Sequence, residues 1–238
     1  MNFSDKITRN SDRMLSFFEY FRNVLVRIGI VVLVFSVCGY YVGEPILKYV
    51  QQTTGVTLAA FGIPETFFAF LILALGIGMF VSIPYILYAV LAGLPPLFPA
   101  FTRKTMFGFW LSSIVLFYTG AFFCLIISLP FGAQFLLSYE SAQLEALISV
   151  RKFVSFTLLF IFGFGIIFEL PLAMVLMGKI GLANARTLAA HRRYAILAVA
   201  IIAALLTPTP DIINMSLMGI PLYLLFEIGL IGMRLGKK

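Results

Sequence analysis

Six stretches of the chain read as nearly unbroken apolar runs: 24–42, 67–91, 106–128, 153–176, 194–207 and 212–233. Runs of about 20 apolar residues match the bilayer hydrocarbon core, which is about 30 Å thick. Breaker residues stand between them, with GEP after the first run and GLPPLFP after the second. The pattern predicts an all-α polytopic membrane protein with six transmembrane helices in one integral domain, 1–238. No internal repeat or low-complexity tract marks a second unit. The last two runs are unusual. Residues 194–207 would make about 21 Å of helix, and 212–233 is interrupted by Asn214 and Glu227. A hairpin so short, turning at TPTPD, thins the bilayer or shelters behind its neighbours.

Composition supports a lipid solvent. Of 238 residues, 61% are hydrophobic and 11% charged, against roughly 25% charged in soluble domains. The charges that remain set an orientation. With the N-terminus inside, 14 of the 17 basic residues face the cytoplasm, and only Lys48, Arg151 and Lys152 fall outside. Both termini are therefore expected in the cytoplasm. The net charge of +7 follows from this topology and from anionic lipid, with no nucleic acid implied. The opening MNFSDKITRNSDR lacks an apolar h-region and a cleavage site, so it is expected to be retained.

Nothing in the sequence points to catalysis. There is no Walker loop, GxSxG, HExxH or CxxC pattern. Cys38 and Cys124 fall inside apolar runs and read as small buried residues, and the single His191 lies in a basic loop. No enzyme activity, metal or cofactor is expected.

The informative residues are the polar and breaker positions within the runs. FGFGIIFELPLAM places Glu169 and Pro171 about two-thirds along the fourth run. A charge there costs at least ~2.5 kcal/mol on insertion scales, and Pro171 frees the Ile167 carbonyl. Two readings stay open for Glu169: an acid bonded to a freed carbonyl or hydroxyl, or a functional group in a wet cavity. Pro84 and Pro221 should bend the second and sixth helices, which suggests a curved wall. Glu227 reads as an interface anchor or as part of the same polar surface. Asp211 most simply N-caps the sixth helix on its outer side. Residues 4–27 have the pattern of an amphipathic helix feeding the first run, with Asp5, Asp12 and Glu19 on one face. That stripe reads as solvated, but Glu19 sits among Phe17, Phe18, Tyr20 and Phe21, where a carboxylate pairs strongly with guanidinium groups.

Several stretches together resemble one family. FGFGIIFELP, RRYAILAVAIIAALLTPTPDIINMSLMGIPLYLLFEIG, VSIPYILY, VLFYTGAFFCLIISLP and GIPETFFAFLIL are similar to TatC, the core subunit of the twin-arginine protein translocase. The resemblance covers about 16–234. It implies a glove-like, concave arrangement of six helices with short fifth and sixth spans. It also implies a receptor for twin-arginine signal peptides in the bacterial inner membrane. Such a receptor exports folded proteins with single-span TatA/TatB-type partners, in homo- and hetero-oligomers, driven by the proton-motive force.

The family's N-terminal acid falls on Glu19, with Arg22 beside it and Ser16 and Phe21 departing from the pattern. The family's loop acid would fall at Phe101 or Thr102, where no carboxylate stands, which shifts recognition onto Glu19 plus another group, Asp12 being one candidate. The intramembrane acid falls on Glu169 with FELP intact. The partner-subunit face falls on Thr207 and Met215, with Glu227 nearby. Two other readings compete: a divergent paralogue that does not recognise signals, and a proton-coupled small-solute transporter using Glu169.

Overall fold

The structure, a computed structural model, describes residues 3–93, 103–137, 148–206 and 212–236; the side chains of 3–21, 63, 134–137, 205–206, 212–214 and 217 lie outside that description. Helix α1, Phe3–Thr54, joins the polar N-terminal segment and the first apolar run without a break. It also passes through Gly43, Glu44 and Pro45, where the sequence predicted a stop. The physical reason lies in the residues that follow. Pro45 costs one backbone bond to the preceding turn, but Ile46, Leu47 and Val50 resume the apolar face and pack under the loops beyond. Glu44 and Lys48, 2.8 Å apart, bridge the proline on the helix surface.

Helix α2, Ile63–Ala92, holds Pro84 inside it. Helix α3, Arg103–Phe123, runs through a π-helical turn, Cys124–Ser128, into α4, Leu129–Leu137, and so outlasts the predicted end at 128. Pro130 explains the widened turn. It has no N–H for the normal ladder, and the Leu129 N–H bonds five residues back to the Cys124 carbonyl. Two short strands, β1 (Leu58–Ala59) and β2 (Ile148–Ser149), pair in parallel and tie the loop after α1 to the start of the fourth run. Glu65 secures this cap: it accepts from the Phe61 N–H at 2.7 Å and from the Ser149 hydroxyl. Val50, Val56, Leu129, Ala133 and Phe153 form the apolar cluster beneath it.

The fourth run is two helices, α5 (Val150–Phe168) and α6 (Leu170–Lys179), which meet at Glu169. A short α7, Ala185–Ala190, leads into α8, Arg192–Leu206, and then α9, Ile212–Leu235, with Pro221 inside it. Among the described residues, five helices are long and apolar enough to cross a membrane, the fourth of them being α5 and α6 taken together. Helix α8, at 15 residues, falls short of that length, in line with the predicted short fifth run.

Neighbour choice divides the bundle. Helices α1, α3 and α5 pack on α2, and α3 also packs on α5; α6, α7 and α8 all pack on α9. Missing Cβ atoms allow the close approaches. A Cβ at Gly78 would meet the Val32 carbonyl at 2.7 Å, and one at Gly120 would meet the Phe164 carbonyl at 2.6 Å. Phe160, Phe164 and Phe168 of α5 join Ala203, Met218, Leu222 and Leu225 in the core that links the two sets.

Candidate functional site: a carboxylate at a helix break

The helix break follows from local sequence. Pro171 cannot donate to the ladder, and it occupies one of the first positions of α6, where no donor is needed. The Glu169 N–H tightens onto the Ile166 carbonyl at 3.1 Å, and its own carbonyl accepts from the Ala173 N–H at 2.9 Å. The break marks where the chain leaves α2 and turns onto α9, with α3 still touching both sides. Pro171 is itself buried there, with its Cα facing Gly229.

At this point Ser113 of α3 donates its hydroxyl to the Glu169 Oε1 at 2.8 Å. Ser113 is buried and Glu169 half-buried, so the carboxylate keeps one anchored edge and one accessible edge. Of the two readings open for Glu169, the hydroxyl bond is present, and the partial exposure leaves room for a further partner. Lys179, at the end of α6, lies 5.0 Å from the Phe109 ring centroid and ties the same two helices further along.

The predicted kink in α2 has specific support. Pro84 frees the carbonyl four residues back, that of Phe80, and the Tyr118 hydroxyl donates to it at 3.0 Å. The Pro84 carbonyl in turn accepts from the Trp110 Nε1–H at 2.8 Å. Helix α3 therefore satisfies the bend in α2 and presents Ser113 to Glu169 from the same stretch.

A second polar group joins α8 to α9. Arg192 grips Glu227 with two nitrogens, Nε–Oε1 at 2.8 Å and Nη2–Oε2 at 2.9 Å, and the Tyr223 hydroxyl donates to Oε1 at 2.9 Å. Glu227 is thus engaged within the chain. Above it, Ile196, Val199, Ala200, Met215, Gly219 and Ile220 line a groove of about 540 Å³ between α8 and α9. Met215 is half-buried at this groove, and Pro221 is half-buried next to it in sequence.

The remaining sequence-predicted residues are placed as follows. Arg22 is exposed on α1, while the side chains of Asp12 and Glu19 lie outside the described ones. Thr207, Asp211, Phe101 and Thr102 lie outside the described residues. Ser113, Tyr118, Trp110 and Arg192 were not singled out from the sequence. A signal for Ser113 existed, because it lies ten residues beyond Arg103 as Glu169 lies ten before Lys179. Two helices running in opposite directions from one basic boundary put those positions at one depth.

Bent apolar spans, a short helix beside the last span and a carboxylate at an intramembrane break define a helical membrane protein. The family model "Sec-independent protein translocase protein (TatC)" matches residues 16–221, and the chain belongs to that family. It is a component of a Sec-independent protein translocase and not an enzyme. The TatC protein of Desulforapulum autotrophicum is 35% identical over 178 residues, spanning 74% of this chain and 66% of that one. The TatCy protein of Bacillus subtilis is 29% identical over 94% of this chain and 91% of its own length. The TatC protein of Escherichia coli K12 is 30% identical over 87% of this chain and 83% of its own. A crystal structure of the twin arginine translocase receptor TatC superposes with a TM-score of 0.75 at 29% identity. It covers 93% of this chain and 100% of that one.

Proposed function

We propose that this subunit is the twin-arginine signal-peptide receptor of its translocase. It would act in the inner membrane with both termini cytoplasmic. The observation that supports this most is likeness along nearly the whole chain to a structure described as the twin arginine translocase receptor. In this reading the two guanidinium groups of the signal pair with Glu19, aided by Asp12, with Arg22 setting the local charge at the membrane edge. The apolar part of the signal lies along the bent wall by Glu169, whose free edge meets it or an incoming partner.

The groove at Met215 and Gly219 is the docking place for a single-span TatA/TatB-type helix. Its rim is held by the Arg192–Glu227–Tyr223 group, so Glu227 acts on the partner through that rim. Thr207 belongs to the same partner face by family resemblance alone. Small residues at the groove floor favour close helix approach. The proton-motive force and an oligomer of such subunits complete the reading.

Site-specific crosslinking tests it. A signal peptide with Arg-Arg is expected to crosslink near Glu19 several-fold more than its Lys-Lys variant, and Glu19→Ala should abolish the difference. Equal crosslinking in every combination would sink the recognition role. Complementation of an export-deficient strain separates a working receptor from a divergent paralogue.

A further inference from the structure

We infer that the pocket between α7 and the end of α9 holds the phosphate group of an anionic phospholipid, gripped by Arg186 and Arg234. The pocket has a volume of about 690 Å³ and is lined by Asn184, Ala185, Arg186, Thr187 and Ala189 on one side and by Arg234 on the other. Short side chains keep it open. Ala185 is buried and Ala189 half-buried in the cluster that contains Leu230 and Met233 of α9, so α7 sits close on α9 without filling the space. The pocket shares no residue with the groove at Met215.

Charge sets these two arginines apart from their neighbours. Lys179 lies over the Phe109 ring at 5.0 Å, Arg192 is held by Glu227, and Arg193 lies over the Tyr194 ring at 4.8 Å. Among the described residues, no carboxylate lies within ion-pair distance of Arg186 or Arg234. Glu227, which feels the charge of Arg234, has both oxygens engaged by Arg192 and Tyr223. Helix ends explain one arginine and not the other. Arg234 stands in the last turn of α9, where a cation is favoured. Arg186 is the second residue of α7, where free N–H groups disfavour one. An anion shared by both guanidiniums accounts for the pair.

Location selects the anion. A guanidinium fork matches a carboxylate or a phosphate equally well in shape. Arg234, however, stands one residue from the end of the apolar span Met218–Leu235. Leu182 and Leu235, close in sequence to the pocket residues, are 73% and 68% exposed. Leucines so exposed at the end of a span belong against acyl chains, and at that boundary a bilayer offers the phosphate of an anionic headgroup. A free phosphate would satisfy the arginines and leave the leucines in water.

The test uses the full chain in detergent, read by native mass spectrometry. Wild type is expected to retain one dioleoyl phosphatidylglycerol several-fold better than dioleoyl phosphatidylcholine, whose choline adds a cation beside the arginines. Arg186→Gln and Arg234→Gln should each lower that preference several-fold, and the double variant should lose it. Arg193→Gln removes the same charge nearby but outside the pocket, and should keep the preference. All three residues are exposed, so the variants should keep the wild-type thermal midpoint. An undiminished preference in the double variant would overturn the site. An equal loss in Arg193→Gln would overturn it too, because diffuse charge would then suffice.

Competition separates lipid from soluble phosphate. Glycerophosphoglycerol, the same headgroup without acyl chains, and inorganic phosphate should both fail to displace the lipid at equal concentration. Displacement by either would make this a site for a soluble phosphate compound and overturn the lipid assignment.

Discussion

Ser113 and Glu169 form a pair in which the hydroxyl is the donor, so the two residues respond differently to substitution. Ser113→Ala removes the donor and leaves the acid edge unmatched. Intramembrane hydrogen bonds average about 0.6 kcal/mol and reach about 1.7. A loss in that range is expected, read as a lower thermal midpoint in detergent. Glu169→Gln keeps an acceptor for the same hydroxyl, so its stability should stay within about 0.5 kcal/mol of wild type. Export in a complementation assay should nevertheless fall, because the ionisable acid is what the variant removes. Wild-type export by Glu169→Gln would reduce the acid to a structural element of the break. The identity of Glu169 and Pro171 as a polar break was legible in FELP alone. Its partner was not, because it lies 56 residues away on another helix.

At the scale of helices, a proline bend survives when a neighbour satisfies the freed carbonyl. Tyr118 does this for Phe80 in α2, across 38 residues of sequence. Tyr118→Phe is expected to cost about 0.6–1.7 kcal/mol in the native background. Pro84→Ala restores an N–H that can reclaim the Phe80 carbonyl, so the same Tyr118→Phe change should then cost less. A double-mutant cycle should give a coupling of about 0.5 kcal/mol or more; strict additivity would show that the phenol does not fill the vacancy. The cycle also marks where sequence reading stops. Apolar period and proline position disclosed the helices and the bend. GEP misled because a proline reads as a stop when the apolar face that carries α1 onward is ignored. The β1–β2 pair and the Glu65 clasp depend on loops meeting across 84 residues, which no local pattern encodes.

The whole molecule is two helix sets joined at Glu169, one built around α2 and the other around α9. The second set depends on glycines of α9 that admit α6. A Cβ at Gly229 would lie 2.5 Å from the Met174 sulfur and 3.1 Å from the Pro171 Cα, and one at Gly232 would lie 2.7 Å from Val175. The methionine can yield, but the Pro171 backbone at the break cannot move without shifting the carboxylate beside it. Gly229→Val is therefore expected to cost about 1–3 kcal/mol through overpacking. Each kcal/mol corresponds to about 2–4 °C in domains of 150–250 residues, so the midpoint should drop measurably. Hydrogen exchange gives the sharper test. Faster exchange should be concentrated in α6–α9, with α1–α5 protected nearly as in wild type, because each set packs mainly on its own central helix, α2 or α9. Uniformly faster exchange in Gly229→Val would mean that the chain opens as one unit. Glu169 would then sit at a bend inside a single rigid body instead of at the joint between two.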